Sequence, residues 1–154
     1  LAEGKPGARR SLADAAAVRH AVALVRAHNA VERALSKALR PLDLKTAHLD
    51  ILLNLFRFPG LSQQELAHKL LVGRSNMSML LPQLEKRGLL TRLPDETDKR
   101  VLRLALTEPG LELTGKAIEI PVALIEKVMG ASSQEECDIV GNAMTKVTQT
   151  LRET

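Results

Sequence analysis

One segment constrains the fold more than any other: Leu89-Leu90-Thr91-Arg92-Leu93-Pro94-Asp95-Glu96-Thr97-Asp98-Lys99-Arg100-Val101-Leu102-Arg103-Leu104. It reads as two short strands around a polar, charged loop. It directly follows two short helical patterns that end at Gly88. The hairpin therefore has to pack against a pair of small helices, and the rest of the chain has to supply the core beneath them.

That core comes from aliphatic residues, because Phe56 and Phe58 are the only aromatics among 154 residues. Such a composition favours packed helices and a single domain. A long helix is expected over residues 12–39, where Val18, Val22, Val25, Leu35 and Leu39 recur near helical spacing and Pro41 ends the run. A second is expected over residues 46–57, with Leu49, Leu52, Leu53 and Phe56 inward and Pro59-Gly60 as the break. Ser62-Gln63-Gln64-Glu65 is a capping box: the serine oxygen takes an orphan amide, and the glutamate three residues on answers back. The short helix it opens buries Leu66, Ala67 and Leu70, Gly73 marks the turn, and the next helix runs over residues 74–87. Two short helices joined by a tight, glycine-containing turn form a helix-turn-helix. With the hairpin behind it, the unit is a winged helix-turn-helix, an architecture built to dock on DNA.

Beyond the hairpin, Thr107 caps a helix that tolerates Pro109 in its first turn and runs to about Met129, kinked at Pro121. Overlapping capping boxes at Ser132 and Ser133 open a last helix that reaches about Arg152. The expected fold is mainly α with a small two- or three-stranded β wing. Residues 1–11 form a flexible basic tail. Residues 44–106 form the winged unit. Residues 12–40 and 107–154 form a helical dimerisation region, all within one intertwined domain. Val122, Leu124, Ile125, Val128, Ile139, Val140, Val147 and Leu151 are too much apolar surface for one thin layer, so a homodimer is expected.

Charge follows the same division. Residues 1–59 carry a net +5, residues 60–106 a net +3 and residues 107–154 a net −4. The acidic C-terminal helices belong away from phosphates. The single cysteine, Cys137, excludes an internal disulfide framework and fits a reducing cytoplasm. No run of apolar residues is long enough to span a membrane, and no secretory segment leads the sequence.

The helix over residues 74–87 puts Met77, Leu80, Leu81 and Leu84 on one side. The other side carries Ser75, Met79, Pro82 and Lys86, flanked by Asn76, Ser78 and Gln83. Ser, Asn and Gln suit base edges in a major groove, Asn or Gln gripping adenine with two hydrogen bonds, and Met or Pro suits a thymine methyl. Arg74 and Lys86 are placed to reach phosphates. Pro82 costs about 3 kcal/mol in a helix interior and removes the bond to Ser78, so a kink or loosened turn is expected there. In the wing, Leu102, Leu104 and Leu106 should alternate inward with Arg103 outward, and Lys99 and Arg100 lie at the tip. A slender arginine there fits a narrow minor groove. Asp95 and Asp98 would repel phosphate, so their role is structural: Asp98 can bond the loop backbone or fix an arginine.

Together these pieces resemble the MarR-type winged-helix transcriptional regulators. The resemblance rests on Leu61-Ser62-Gln63-Gln64-Glu65-Leu66-Ala67, Val72-Gly73-Arg74-Ser75-Asn76, Leu84-Glu85-Lys86-Arg87-Gly88-Leu89-Leu90-Thr91-Arg92, Asp95-Glu96-Thr97-Asp98-Lys99-Arg100 and Leu106-Thr107-Glu108-Pro109-Gly110. It implies a homodimer joined by the first and the last two helices. It implies major-groove reading by Arg74, Ser75, Asn76 and Ser78, minor-groove entry by Arg100 and wing orientation by Asp98. It also implies repression of transcription at a palindromic operator, relieved by a small phenolic or anionic effector, or in some members by thiol oxidation. Met79 and Pro82 depart from the family pattern.

For an effector, His20, His28 and His48 lie near the junction of the first two helices, and His28 and His48 are the candidates carried forward. No histidine pair has the spacing of a helical metal site, so no metal or cofactor is expected. Neighbouring Glu135, Glu136 and Asp138 discourage a reactive Cys137 thiolate. A redox response through Cys137 remains an alternative, as does a winged module that only binds protein. No catalytic motif is present, so an enzyme is not expected.

Overall fold

The computed structural model describes residues 16–152. The expected tail over residues 1–11 and the start of the first helix at residues 12–15 lie outside the described residues. The elements run α1 (Ala16–Leu39), a 3₁₀ turn (Arg40–Leu42), α2 (Thr46–Arg57), α3 (Gln63–Leu70), α4 (Arg74–Lys86), β1 (Leu90–Pro94), β2 (Leu102–Leu106), α5 (Glu108–Ala117), α6 (Glu119–Met129) and α7 (Gln134–Arg152). Among the described residues the wing has two strands, antiparallel, with Leu90 opposite Leu106 and Pro94 opposite Leu102. A third strand is reduced to one bridge between Ser62 and Arg103.

The core sits under the winged unit. Leu49, Ile51, Leu52 and Leu55 of α2, Leu66 of α3, Met77, Leu81 and Leu84 of α4, and Leu104 of β2 are each 2 % exposed or less. Each contributes roughly 2 kcal/mol by leaving water. The inward face foreseen for α4 is the observed one. That of α2 is wider and rotated: Ile51 and Leu55 are buried, and Phe56 is 48 % exposed. The reason is that α2 is enclosed by α1, α3, α4, α5 and β2 together, so one stripe of apolar side chains is not enough to line it.

The capping box forms as read. Ser62 Oγ accepts from the Glu65 amide at 3.2 Å, and Glu65 Oε2 accepts from the Ser62 amide at 2.7 Å. The helix-turn-helix turn differs in detail. Its left-handed residue is Leu71 (φ 54°), whereas Gly73 has extended backbone and opens α4. Helix α4 continues through Pro82. Pro121 acts one turn upstream of itself. Lacking an N–H, it cannot serve the Ala117 carbonyl, and its ring occupies that space. The helix is accordingly interrupted at Ile118, dividing α5 from α6. Leu102 is 45 % exposed, because the strand has already left the core there.

The outer helices are unlike the core. Val25 of α1, Ile125 of α6 and Ile139, Val140 and Leu151 of α7 are more than half exposed. No side chain of α6 is buried. Among the described residues, no helix is long and apolar enough to cross a membrane.

Candidate nucleic-acid interface

The first half of α4 and the wing tip carry the polar groups foreseen for DNA. Ser75, Asn76, Ser78, Lys86 and Lys99 are exposed, and Met79 is 59 % exposed. Gly73 provides no side-chain cap for the first amides of α4, while the Asn76 amide turns back to the Gly73 carbonyl at 3.1 Å. The side chain of Arg74 lies outside the described residues.

The wing loop is organised by two aspartates. Asp95 Oδ1 accepts from the Thr97 amide at 2.9 Å, the Thr97 hydroxyl at 2.7 Å and the Asp98 amide at 3.0 Å. Its Oδ2 accepts from Arg103 Nε at 2.6 Å. These bonds, that from the Asp98 amide foremost, hold the Asp95 carboxyl far below the usual carboxylate range. Asp98 bonds Arg100 twice. Its Oδ1 accepts from the Arg100 amide at 3.0 Å and from Arg100 Nε at 3.1 Å. The Arg100 side chain is 91 % exposed, so one edge of the guanidinium is fixed and the other faces outward.

Two groups expected on the DNA face are engaged within the fold. Arg103 does not point out. It bonds Asp95 and, through Nη1, Glu65 Oε2 at 2.8 Å and the Gly60 carbonyl at 3.4 Å. The Ser62–Arg103 bridge draws β2 against the start of α3 and turns this side chain toward it. Gln83 is half buried. Its Oε1 meets His48 Nε2 at 3.1 Å and its Nε2 donates to the Met79 carbonyl at 3.0 Å. Its place on α4 puts it beside α2, a relation that helical periodicity alone does not reveal.

Three contributors escaped the sequence reading. Arg92 of β1 forks onto Glu85 of α4, with Nε to Oε1 at 2.8 Å and Nη2 to Oε2 at 3.1 Å. Its Nη1 donates to Gln63 Oε1 at 3.1 Å, and Gln63 Nε2 donates to Ser78 Oγ at 3.2 Å. The wing, α3 and α4 are thus joined by side chains that look in sequence like ordinary surface polars.

His28 and His48 are not brought to one cavity. His28 is exposed on α1, whereas His48 is buried against a cleft of about 290 Å³ lined by Arg40, Asp43, Lys45, Gln83 and Arg87. Burial pushes the His48 imidazole below its ordinary value, and among the described residues its Nδ1 has no partner. A separate apolar cavity of about 470 Å³ lies between α2 and α6, walled by Leu53, Phe56, Val122 and Ile125 with Arg57 beside them. Cys137 is half buried, its Sγ 3.5 Å from Met129 Sδ. Among the described residues, no cluster of His, Cys, Asp or Glu could hold a metal ion.

Residues 42–101, which run from the end of the 3₁₀ turn to the foot of β2, match the family model described as MarR family. An uncharacterized HTH-type transcriptional regulator of Bacillus cereus is 32% identical over 125 residues, covering 80% of this chain and 83% of the relative. AbsC, a MarR family transcriptional regulator from Streptomyces coelicolor, superposes with a TM-score of 0.83 at 24% identity, over 91% of this chain and 97% of its own. The transcriptional repressor CouR, solved on a 23-mer DNA duplex, gives a TM-score of 0.78 at 26% identity, over 96% of this chain and 99% of its own. On this sequence and structural likeness, the chain belongs to the MarR family of transcriptional regulators.

Proposed function

We propose that the protein is a DNA-binding repressor that sits on a palindromic operator as a homodimer and leaves it when a small phenolic or anionic effector binds. One observation carries the DNA reading: an uncapped, polar helix start lies on the same unit as a wing arginine that is outward and held by Asp98. In this reading Ser75, Asn76, Ser78 and Met79 meet base edges, and Arg74, Lys86 and Lys99 meet phosphates. Arg100 enters the minor groove. That the similar protein CouR is solved on a DNA duplex supports DNA as the partner.

The effector reading is supported by the two cavities. The cleft at His48 offers Arg40 and Lys45 to an anion, with Arg87 already held on the Asp43 and Leu42 carbonyls. The cavity beside Arg57 offers apolar walls to an aromatic ring. Both adjoin α2, which packs on the recognition helix and on α1. A ligand there could bias the spacing of two winged units.

The test is binding of the purified protein to its own upstream intergenic DNA and to random duplex, across a salt series. Sequence preference with a steep loss of affinity as salt rises is the expected result. Equal affinity for both duplexes at every salt would overturn the reading. Added hydroxybenzoate should weaken operator binding without unfolding the protein.

A further inference from the structure

We propose that the cleft at the joint of α1 and α2 binds a small oxyanion together with one proton, which His48 takes up, so that the ligand gained is in net composition a weak acid. The proposal deepens, and rests on, the reading above that this cleft takes an anion.

The cleft measures about 290 Å³, which suits an ion the size of benzoate or sulfate. Arg40 and Lys45 line it, on either side of the turn that joins the two helices. Lys45 is also the residue that opens α2, and it supplies no side-chain cap, so the positive end of a 12-residue helix lies at the same place. Arg87 reaches in from α4 with two of its nitrogens already on the Asp43 and Leu42 carbonyls. Asp43 is the carboxylate among the lining residues, and its side chain is 96 % exposed. Three cations against one solvated carboxylate leave the cleft electropositive.

The buried group at this cleft is His48, 4 % exposed, and its protonation can be read from its neighbours. The Met79 carbonyl can only accept, so the Gln83 atom 3.0 Å from it is the amide nitrogen. Gln83 then turns its own carbonyl oxygen to His48 Nε2 at 3.1 Å, and Nε2 has to carry the ring proton. A neutral imidazole has one N–H and one bare nitrogen, so nothing is left open: Nδ1 is the bare one. It is buried and, among the described residues, unpartnered. A second proton has Nδ1 as its one place to go, and the N–H formed there needs an acceptor that the described residues do not supply. Burial first, then the charges of Lys45 and Arg87, hold the ring neutral against the Gln83 bond and Asp43, which favour the charged form. An oxyanion seated on Arg40 and Lys45 reverses that balance. It offsets the neighbouring cations and gives an imidazolium its counter-charge. By linkage, an anion that favours the proton is itself bound more tightly by the protonated protein, by the same factor.

The experiment is calorimetric titration of the full chain with sodium benzoate and with sodium sulfate, from pH 7.5 to 5.5, at ionic strength held constant with chloride. Two buffers of different ionisation enthalpy count the protons taken up. Sulfate does not titrate in this range and is too polar for the apolar cavity beside Arg57, so its protons are the protein's. We expect affinity to rise by about 10-fold toward pH 5.5, within the usual range for coupled sites, with about one proton taken up per ion. The imidazole resonance that His48→Gln deletes should titrate at higher pH with the ion than without it. In His48→Gln, affinity should no longer depend on pH, and in Arg40→Ala and Lys45→Ala it should fall at every pH. The ion that binds more tightly tells a carboxylate ligand from a sulfate- or phosphate-like one. Binding that Arg40→Ala and Lys45→Ala weaken, but with no proton uptake and equal affinity across the pH range, would overturn the proposal and leave the anion reading standing. No binding of either ion at any pH, or binding that neither substitution changes, would overturn both.

Discussion

Arg100 and Arg103 differ by three positions and carry the same charge, yet their surroundings assign them opposite work. Arg100 has one edge on Asp98 and the rest in solvent, while Arg103 is closed between Asp95 and Glu65. Arg100→Ala should therefore remove a DNA contact and leave the wing in place. Its signature is weaker binding and a salt slope shallower by about 1. Arg103→Ala should release the wing from α3. Faster amide exchange over residues 95–101 should then accompany any loss of affinity. Equal exchange in the two variants would count against this division. His48 makes a second prediction at this scale. Its imidazole is held neutral by burial, with the cations Lys45 and Arg87 adding to the effect. The unfolded chain takes up a proton near pH 6.5 and the folded chain only at lower pH, so stability is full above that value and falls as pH drops below it. Urea midpoints measured from pH 7.5 to 5 should decline less in His48→Gln than in wild type. Parallel declines would show that His48 does not control this window.

At the scale of elements, the junction between the wing and α5 is set by one close approach. A Cβ added to Gly110 would lie 1.9 Å from the Leu89 carbonyl oxygen, a contact that the backbone would have to move to relieve. Gly115, on the same helix, has nothing within 4 Å of such a Cβ. The same substitution should then act in opposite directions. Gly110→Ala should destabilise by about 3 kcal/mol, and Gly115→Ala should stabilise by about 0.7 kcal/mol through helix propensity. Denaturant unfolding of the two variants checks both signs. Boundaries of this kind were legible in sequence wherever a local rule governs them. Pro41, the Ser62 capping box, Gly88 and the Thr107 cap all mark real ends. What sequence did not disclose depends on tertiary neighbours. The inward turn of Arg103 needs the bridge to Ser62, the burial of Gln83 needs His48 across from it, and the Gln63 tie needs three elements in register. None of these leaves a periodic trace.

For the whole molecule, α7 poses the largest question. It is 19 residues long, and none of its described side chains is buried. Val140, Met144, Val147 and Leu151 nonetheless lie at helical spacing along it. A solitary helix of that length is marginal in water, and its stability has to come from packing of this stripe. Helices α1 and α6 leave Val25 and Ile125 similarly open. The proposed homodimer would cover all three at once and set two winged units about a two-fold axis, with half-sites about 34–36 Å apart. Ile139 is 61 % exposed within its own chain, so Ile139→Glu should spare the protomer and split the pair. Sedimentation should show two copies for wild type and one for the variant, with the winged unit still folded. Because each unit neutralises its own set of phosphates, the salt slope of operator binding should fall by about half in the variant. An unchanged slope on a monomer would mean that one winged unit makes all the DNA contacts and that the two-fold arrangement is not what holds the operator.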